Sequence, residues 1–101
     1  MTGSGFTQDG EGSYCVRGPM TFETVGALWS QSRGEFDAGK TLLIDLDGVT
    51  AVDSAGLSLL VEWVRWARQR AGAASFTHVP AKLRALARIG ELEGLLGMSG
   101  T

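Results

Sequence analysis

Most of what would pin a fold or a reaction covalently is scarce in this chain. Its 101 residues include one cysteine, one histidine and two prolines. Cys15 alone forms no internal disulfide, and with His78 it falls short of a four-ligand zinc site, so a reducing compartment and no metal or cofactor are expected. No apolar run reaches the roughly 18 residues that span a bilayer. The opening Met1-Thr2-Gly3-Ser4-Gly5 lacks the basic flank and apolar core of a signal peptide. A cytoplasmic chain with no membrane span is expected. A strong charge of either sign is missing too, since the net charge is -2, and nothing in that balance argues for nucleic acid as a partner. No Gly-x-x-x-x-Gly-Lys loop is present to cradle a nucleotide phosphate. No Gly-x-Ser-x-Gly elbow is present to make a nucleophile of Ser54 beside His78.

What remains is 44% hydrophobic and 20% charged residues, enough for one compact domain with a modest core. A large cleft would leave little scaffold at this size, so a binding or regulatory module is expected rather than an enzyme. Charge is unevenly spread: residues 1–53 carry -5 and residues 54–101 carry +3. Arg65, Arg68, Arg70, Lys82, Arg84 and Arg88 make up the basic half, which keeps exposed helix faces solvated or meets an acidic partner or anionic lipid.

Residues 1–12 are rich in Gly, Ser and Thr and read as a loose start or a short strand; 98–101 read as a tail. Between them, over 13–97, helical and strand patterns alternate. Ser13 to Arg17 has strand character and stops at Gly18-Pro19. From Phe22, Val25, Leu28, Trp29 and Phe36 recur at helical spacing, with Thr21 or Thr24 to cap the start and Gly39 to close the end. Thr41 to Leu46 is a nearly continuous apolar run, which predicts a central strand buried on both faces and ending at Asp47-Gly48. Ser54 to Ala71 is the longest helical segment, capped by Ser54 and closed at Gly72. Ser75 to Val79 returns to strand. Pro80 then opens a helix through Leu83, Leu86, Ala87 and Ile89, and Glu91 to Leu96 adds a short last one. The class is α/β, a small mixed sheet packed with amphipathic helices.

At about 100° per residue, Leu57, Leu60, Val61, Val64, Ala67 and Ala71 of the long helix share one arc, which suits packing on the sheet. Ser58, Glu62, Arg65 and Gln69 make a polar stripe. Leu59, Trp63 and Trp66 belong to neither and fall on a third arc closed by Arg70. Either a neighbouring helix covers that arc or it is a partner surface.

Two motifs meet at the centre of the chain. Leu42-Leu43-Ile44-Asp45-Leu46-Asp47-Gly48-Val49-Thr50 is an apolar strand followed by Asp-x-Asp-Gly, and it resembles the first motif of haloacid-dehalogenase-type phosphatases. That resemblance implies Asp45 as nucleophile and Asp47 as acid and base around magnesium. The chain after Thr50 has few acidic residues to complete such a site, and a strand ending in a solvated turn accounts for the same residues. The second motif is Val52-Asp53-Ser54-Ala55-Gly56-Leu57, entering the long helix after the strand Leu43-Ile44-Asp45-Leu46. Strand, loop and helix in this order, over residues 13–97, resemble the STAS domain, the fold of anti-sigma-factor antagonists.

At the residue level, Ser54 can cap the helix, and Asp53 suits its positive end. A phosphate on that hydroxyl would set about -1.5 to -2 charges beside Asp53. In STAS antagonists the matching serine is the one the partner kinase phosphorylates, so the resemblance implies a switch at Ser54 and an anti-sigma-factor kinase as partner. Val25-Gly26-Ala27-Leu28-Trp29, the Gly39-Lys40 turn and Leu57-Ser58-Leu59-Leu60-Val61-Glu62-Trp63 are similar to the small STAS subunit of the maintenance-of-lipid-asymmetry phospholipid transporter. That subunit is non-catalytic. It binds the cytoplasmic ABC ATPase, which would hold the chain at the inner membrane through the permease. The resemblance then implies Asp53, Ser54, Ala55, Gly56, Leu59, Trp63 and Trp66 as ATPase contacts.

Overall fold

The computed structural model describes residues 4–36 and 39–97. The chain folds into four strands and four helices: β1 (Gly5–Gly10), β2 (Ser13–Met20), α1 (Val25–Glu35), β3 (Thr41–Val52), α2 (Ser54–Gln69), β4 (Ala73–Thr77), α3 (Ala81–Ile89) and α4 (Glu93–Leu96). They form one sheet in the order β1-β2-β3-β4. β1 and β2 are an antiparallel hairpin turning at Glu11-Gly12, where Gly12 takes φ 75°. β2, β3 and β4 run parallel, joined by α1 and α2. Parallel strands added successively to one side require crossovers of one hand, which puts both helices on the same face of the sheet.

That single covered face explains the burial pattern. Tyr14 and Val16 of β2 and Leu42, Ile44 and Leu46 of β3 are buried, while Leu43 between them is 42% exposed. The expectation that β3 is buried on both faces is therefore corrected: its apolar run alternates, and Leu43 and Asp45 turn to the open side. β3 also runs past Asp47-Gly48, where a turn was expected, as far as Val52. Gly48 makes this possible, because a Cβ there would lie 2.8 Å from the Arg17 side chain and 3.1 Å from the Val16 carbonyl oxygen. Two register shifts against β2 absorb the extra residues of β3.

The core's centre is aromatic. Phe6, Tyr14, Phe36 and Trp63 pack with ring centroids 5.0 to 6.2 Å apart, drawn from β1, β2, the end of α1 and the middle of α2. β1 contributes Phe6 to this cluster, so the glycine-rich start supplies a core residue. α1 starts at Val25 with Thr24, one of the two expected caps, at its N-cap, so Phe22 lies outside it, and it ends at Glu35, four residues before Gly39. α3 buries Leu83 and Ala87, but Ile89, the last apolar residue of the same helical run, is 80% exposed. β4 lies two residues earlier than its pattern predicts and ends before His78, which takes φ 55°.

α2 ends by a tight backbone closure. Ala71, not Gly72, holds the left-handed φ of 61°, while the Gly72 amide donates to the Ala67 carbonyl (2.8 Å) and the Ala71 amide to that of Arg68 (3.2 Å). Gly72 is needed for a different reason: a Cβ there would sit 2.4 Å from the Lys40 carbonyl oxygen.

Candidate functional site

The junction between β3 and α2 is built by Asp53. Its Oδ1 accepts the amides of Ala55 (2.9 Å) and Gly56 (3.4 Å), so Asp53 caps α2, the role that the sequence assigned to Ser54. Its Oδ2 accepts the Phe22 amide at 3.1 Å and ties the helix start to the loop between β2 and α1. The Phe22 amide, then those of Ala55 and Gly56 and the charge of Lys82, outweigh desolvation and hold the Asp53 carboxyl below its usual range. Four donors or charges therefore converge on one anion.

With the cap supplied by Asp53, Ser54 is the first residue of α2 and stands exposed. Ala55 is half-buried. Gly56 is buried, and its missing Cβ would fall 2.6 Å from the Met20 carbonyl oxygen. Gly56 is thus the point where α2 presses on the end of β2, and it offers a partner no surface. Phe22, held by Asp53 through its amide, projects its ring to 82% exposure at the same end of the molecule. The sequence pattern places Phe22 at the start of the first helical run; its exposure follows from α1 beginning three residues later.

The third arc of α2 is covered. Leu59 is 4% exposed and Trp63 fully buried, with the indole N-H of Trp63 donating 2.8 Å to Ser32 Oγ on α1. Ser32 in turn donates to the Trp29 carbonyl at 2.8 Å. Trp63 as a docking residue is therefore corrected: α1 lies alongside α2, and Phe6, Phe36 and Phe76 close around the ring. Trp66 is half-buried against Phe36, and the Arg70 guanidinium lies 4.4 Å above its ring. Twelve residues of helix, about 18 Å, separate Trp66 from Ser54, so the two do not form one contact point.

What α1 and α2 leave between them is a groove. Near Ser54 it opens as an apolar hollow of about 360 Å³ lined by Val25, Gly26, Trp29, Ala55, Ser58 and Leu59, with Glu62 at its edge. Trp29 and Glu62 also belong to a second hollow of about 250 Å³ further along, where Arg33, Arg65 and Arg70 gather. Leu59 reaches the groove only as its floor. Val25 and Trp29 of α1 supply walls that the sequence reading, centred on α2, did not include.

The other candidate chemistry lies on the open face of the sheet. Asp45 sits within β3, where its carboxylate accepts the Asp47 amide (3.0 Å) and pairs with His78 Nδ1 (2.8 Å). Desolvation opposes ionisation of Asp45, but the Asp47 amide and His78 outweigh it and keep the carboxyl below its usual range. Asp45 raises the His78 imidazole above its own range, first by the hydrogen bond and then by charge. Cys15 Sγ lies 3.0 Å from Asp9, and that hydrogen bond, with desolvation and the charges of Asp9 and Asp45, pushes its thiol up to about 11. A thiol so placed is a poor nucleophile. Among the described residues no three His, Cys, Asp or Glu side chains gather as a metal site.

A four-stranded mixed sheet with α1 and α2 on one face, and a groove between those helices that opens beside the start of α2, defines a small α/β domain. The comparisons place it more closely: a family model described as "Mlab, STAS domain" matches residues 8–97, and the chain belongs to that family. Among solved structures it is similar to the anti-sigma factor antagonist SpoIIAA in its unphosphorylated form. The two share 15% identity and a TM-score of 0.63 over 97% of this chain and 99% of that one. At that identity the likeness shows the fold. No curated protein matches the chain. Among the described residues no helix is long and apolar enough to cross a membrane.

Proposed function

We propose that the chain is a non-catalytic STAS subunit that binds and supports the cytoplasmic ATPase of a phospholipid-transporting ABC complex. Through that ATPase and its permease it sits at the inner membrane. The family description supports this reading. The observation that carries it is the construction of the α2 start: Asp53 and Gly56 hold the helix to β2 and its loop, which leaves Ser54 and Phe22 exposed and Ala55 lining an apolar groove. An exposed aromatic and an apolar hollow flanking one helix start are features of a protein interface. The working surface is thus Phe22, Ser54, Ala55 and the groove floor at Leu59, with Asp53 setting its geometry.

Affinity purification of the tagged chain from its own cells, with mass spectrometry of what stays bound, tests the proposal. An ABC ATPase and a permease are expected with the native chain. Both are expected to be lost from Ser54→Arg, which adds bulk at an exposed position without touching the core. Retention of the ATPase by Ser54→Arg would remove the surface, and a small kinase in place of the ATPase would remove the reading.

A second reading is favoured by one feature, the exposed Ser54 hydroxyl beside the Asp53 carboxylate. An anti-sigma-factor kinase that phosphorylates Ser54 would place two like-charged groups together and eject the docked partner. Stoichiometric phosphate on Ser54 after incubation with candidate kinases would decide for it.

A further inference from the structure

The hollow at the far end of the α1–α2 groove differs in chemistry from the apolar end. Three guanidiniums converge on it, Arg33 from α1 and Arg65 and Arg70 from α2, above a floor made by Trp29 and Trp66. Two of them are laid on indoles: Arg70 Cζ is 4.4 Å from the Trp66 ring centre and Arg33 Cζ is 5.8 Å from that of Trp29. Arg70 is further held by donating to the Trp66 carbonyl at 3.3 Å. Stacking leaves the N-H edge of a guanidinium available while restricting where it points, so less freedom is lost when an oxyanion binds. One carboxylate faces the three charges, Glu62, and it pairs with Arg65 at 3.8 Å. Among the described residues Arg33 and Arg70 have no ion-pair partner.

We propose that this pocket binds carboxylates of an acidic segment of a protein partner, and that the same segment places an apolar side chain in the adjoining hollow near Ser54. Continuity favours a peptide chain over a lipid headgroup or free phosphate. The two hollows share Trp29 and Glu62, lie in one groove between two helices, and change from apolar to cationic along its length. A ligand complementary to both ends must alternate apolar and anionic groups over more than one residue. The concave groove admits such a segment, whereas a bilayer surface would meet only its rims. The pocket contains arginines and no lysine, which suits the planar, two-pronged geometry of a carboxylate. The inference deepens the interface reading above and rests on it for the partner's identity, but the pocket's preference is measured on the isolated chain.

The probe is a labelled synthetic peptide with leucines at one end and glutamates at the other, titrated against the protein by fluorescence anisotropy. Arg33→Gln/Arg70→Gln is expected to weaken binding about tenfold, or about 1.4 kcal/mol. A peptide with glutamine in place of glutamate should lose as much. Glu62→Gln, which removes the opposing carboxylate, should tighten it. Arg33→Lys/Arg70→Lys should recover only part of the loss, because charge returns without the fork. All these residues are exposed, and unchanged circular dichroism confirms the fold. Equal binding of the acidic and neutral peptides, or indifference to the arginine variants, overturns the proposal. So does arginine-dependent binding of phosphatidylglycerol vesicles or inorganic phosphate with no binding of the peptide. Failure of the ATPase to co-purify would refute the partner assignment while leaving these titrations unaffected.

Discussion

Breaking the Trp63–Ser32 hydrogen bond tests whether the middle of α2 is core or surface. The indole N-H donates 2.8 Å to Ser32 Oγ, and both residues are fully buried. Ser32→Ala leaves that N-H without its acceptor in an apolar setting, which costs about 1–3 kcal/mol. Trp63→Phe removes the donor and some volume, while Ser32 keeps its own donation to the Trp29 carbonyl. The double variant should then be about 1 kcal/mol less destabilised than the two singles added together, because the second change removes a group already orphaned by the first. Trp63→Ala empties the space among Phe6, Phe36 and Phe76 and should cost about 3–5 kcal/mol. The measurement is urea denaturation followed by far-UV circular dichroism, which is indifferent to the lost fluorophore. If the singles add to within about 0.5 kcal/mol and Trp63→Ala costs no more than that, the ring is not in the core and the packing described for α1 against α2 is wrong.

Gly56→Ala forces a Cβ to within 2.6 Å of the Met20 carbonyl, so α2 must lift from β2; a loss of about 1–3 kcal/mol in urea denaturation is expected, together with weaker retention of any partner bound at Ser54. Ala71→Gly relieves a left-handed φ of 61° at the α2 terminus and should raise stability by about 1 kcal/mol, read as a higher thermal midpoint; a lowered midpoint would contradict the strain. The His78–Asp45 pair makes stability depend on pH. A raised His78 value means its contribution is complete below the ordinary histidine range and is lost as pH rises through the folded value. A lowered Asp45 value means its contribution is present above the ordinary aspartate range and is lost as pH falls through the folded value. Denaturation of the native chain and of His78→Asn, which tolerates φ 55°, should diverge most in mild acid, between the ordinary aspartate and histidine ranges, and converge both in alkali and in strong acid; parallel curves would show that the pair contributes nothing.

The alternating class and the start of α2 were legible, and its end to within two residues, because they rest on local signals: periodicity, turn residues and a capping motif before a long amphipathic run. Three features were not, each for a reason of tertiary geometry. The helical wheel of α2 separated Leu59, Trp63 and Trp66 from the sheet-facing arc, but whether α1 covers that arc depends on where the β2–β3 crossover lays it. Hydrophobicity of Leu42, Leu43 and Ile44 implied two covered faces, yet a sheet whose crossovers all fall on one side leaves Leu43 outside. Ser54 and Asp53 are both good caps, and their spacing does not choose between them. The choice follows from Phe22, whose amide approaches from a loop 31 residues away and is met by the longer reach of Asp53. Phe22 had one signal available, an aromatic just ahead of the first helical turn with no periodic partner.

Asp53-Ser54-Ala55-Gly56 divides its labour by position along one helical turn. Asp53 points back and binds three backbone amides; Gly56 points inward and lets the helix touch the strand. Of the two residues between them Ala55 is half-buried and Ser54 is exposed, with both flanking positions fixed to the scaffold. A change at the exposed Ser54 side chain therefore leaves the fold intact, and under the proposed function it acts on the docked partner. A phosphate on Ser54 would stand at the positive end of α2, which favours it, and beside a carboxylate already committed to Phe22, which does not. The first effect stabilises the helix; the second repels Asp53 and weakens its hold on the Phe22 loop. One modification would thus alter both the Phe22 loop and the hydroxyl, while the Trp63 cluster, buried between α1 and α2, would keep the domain folded.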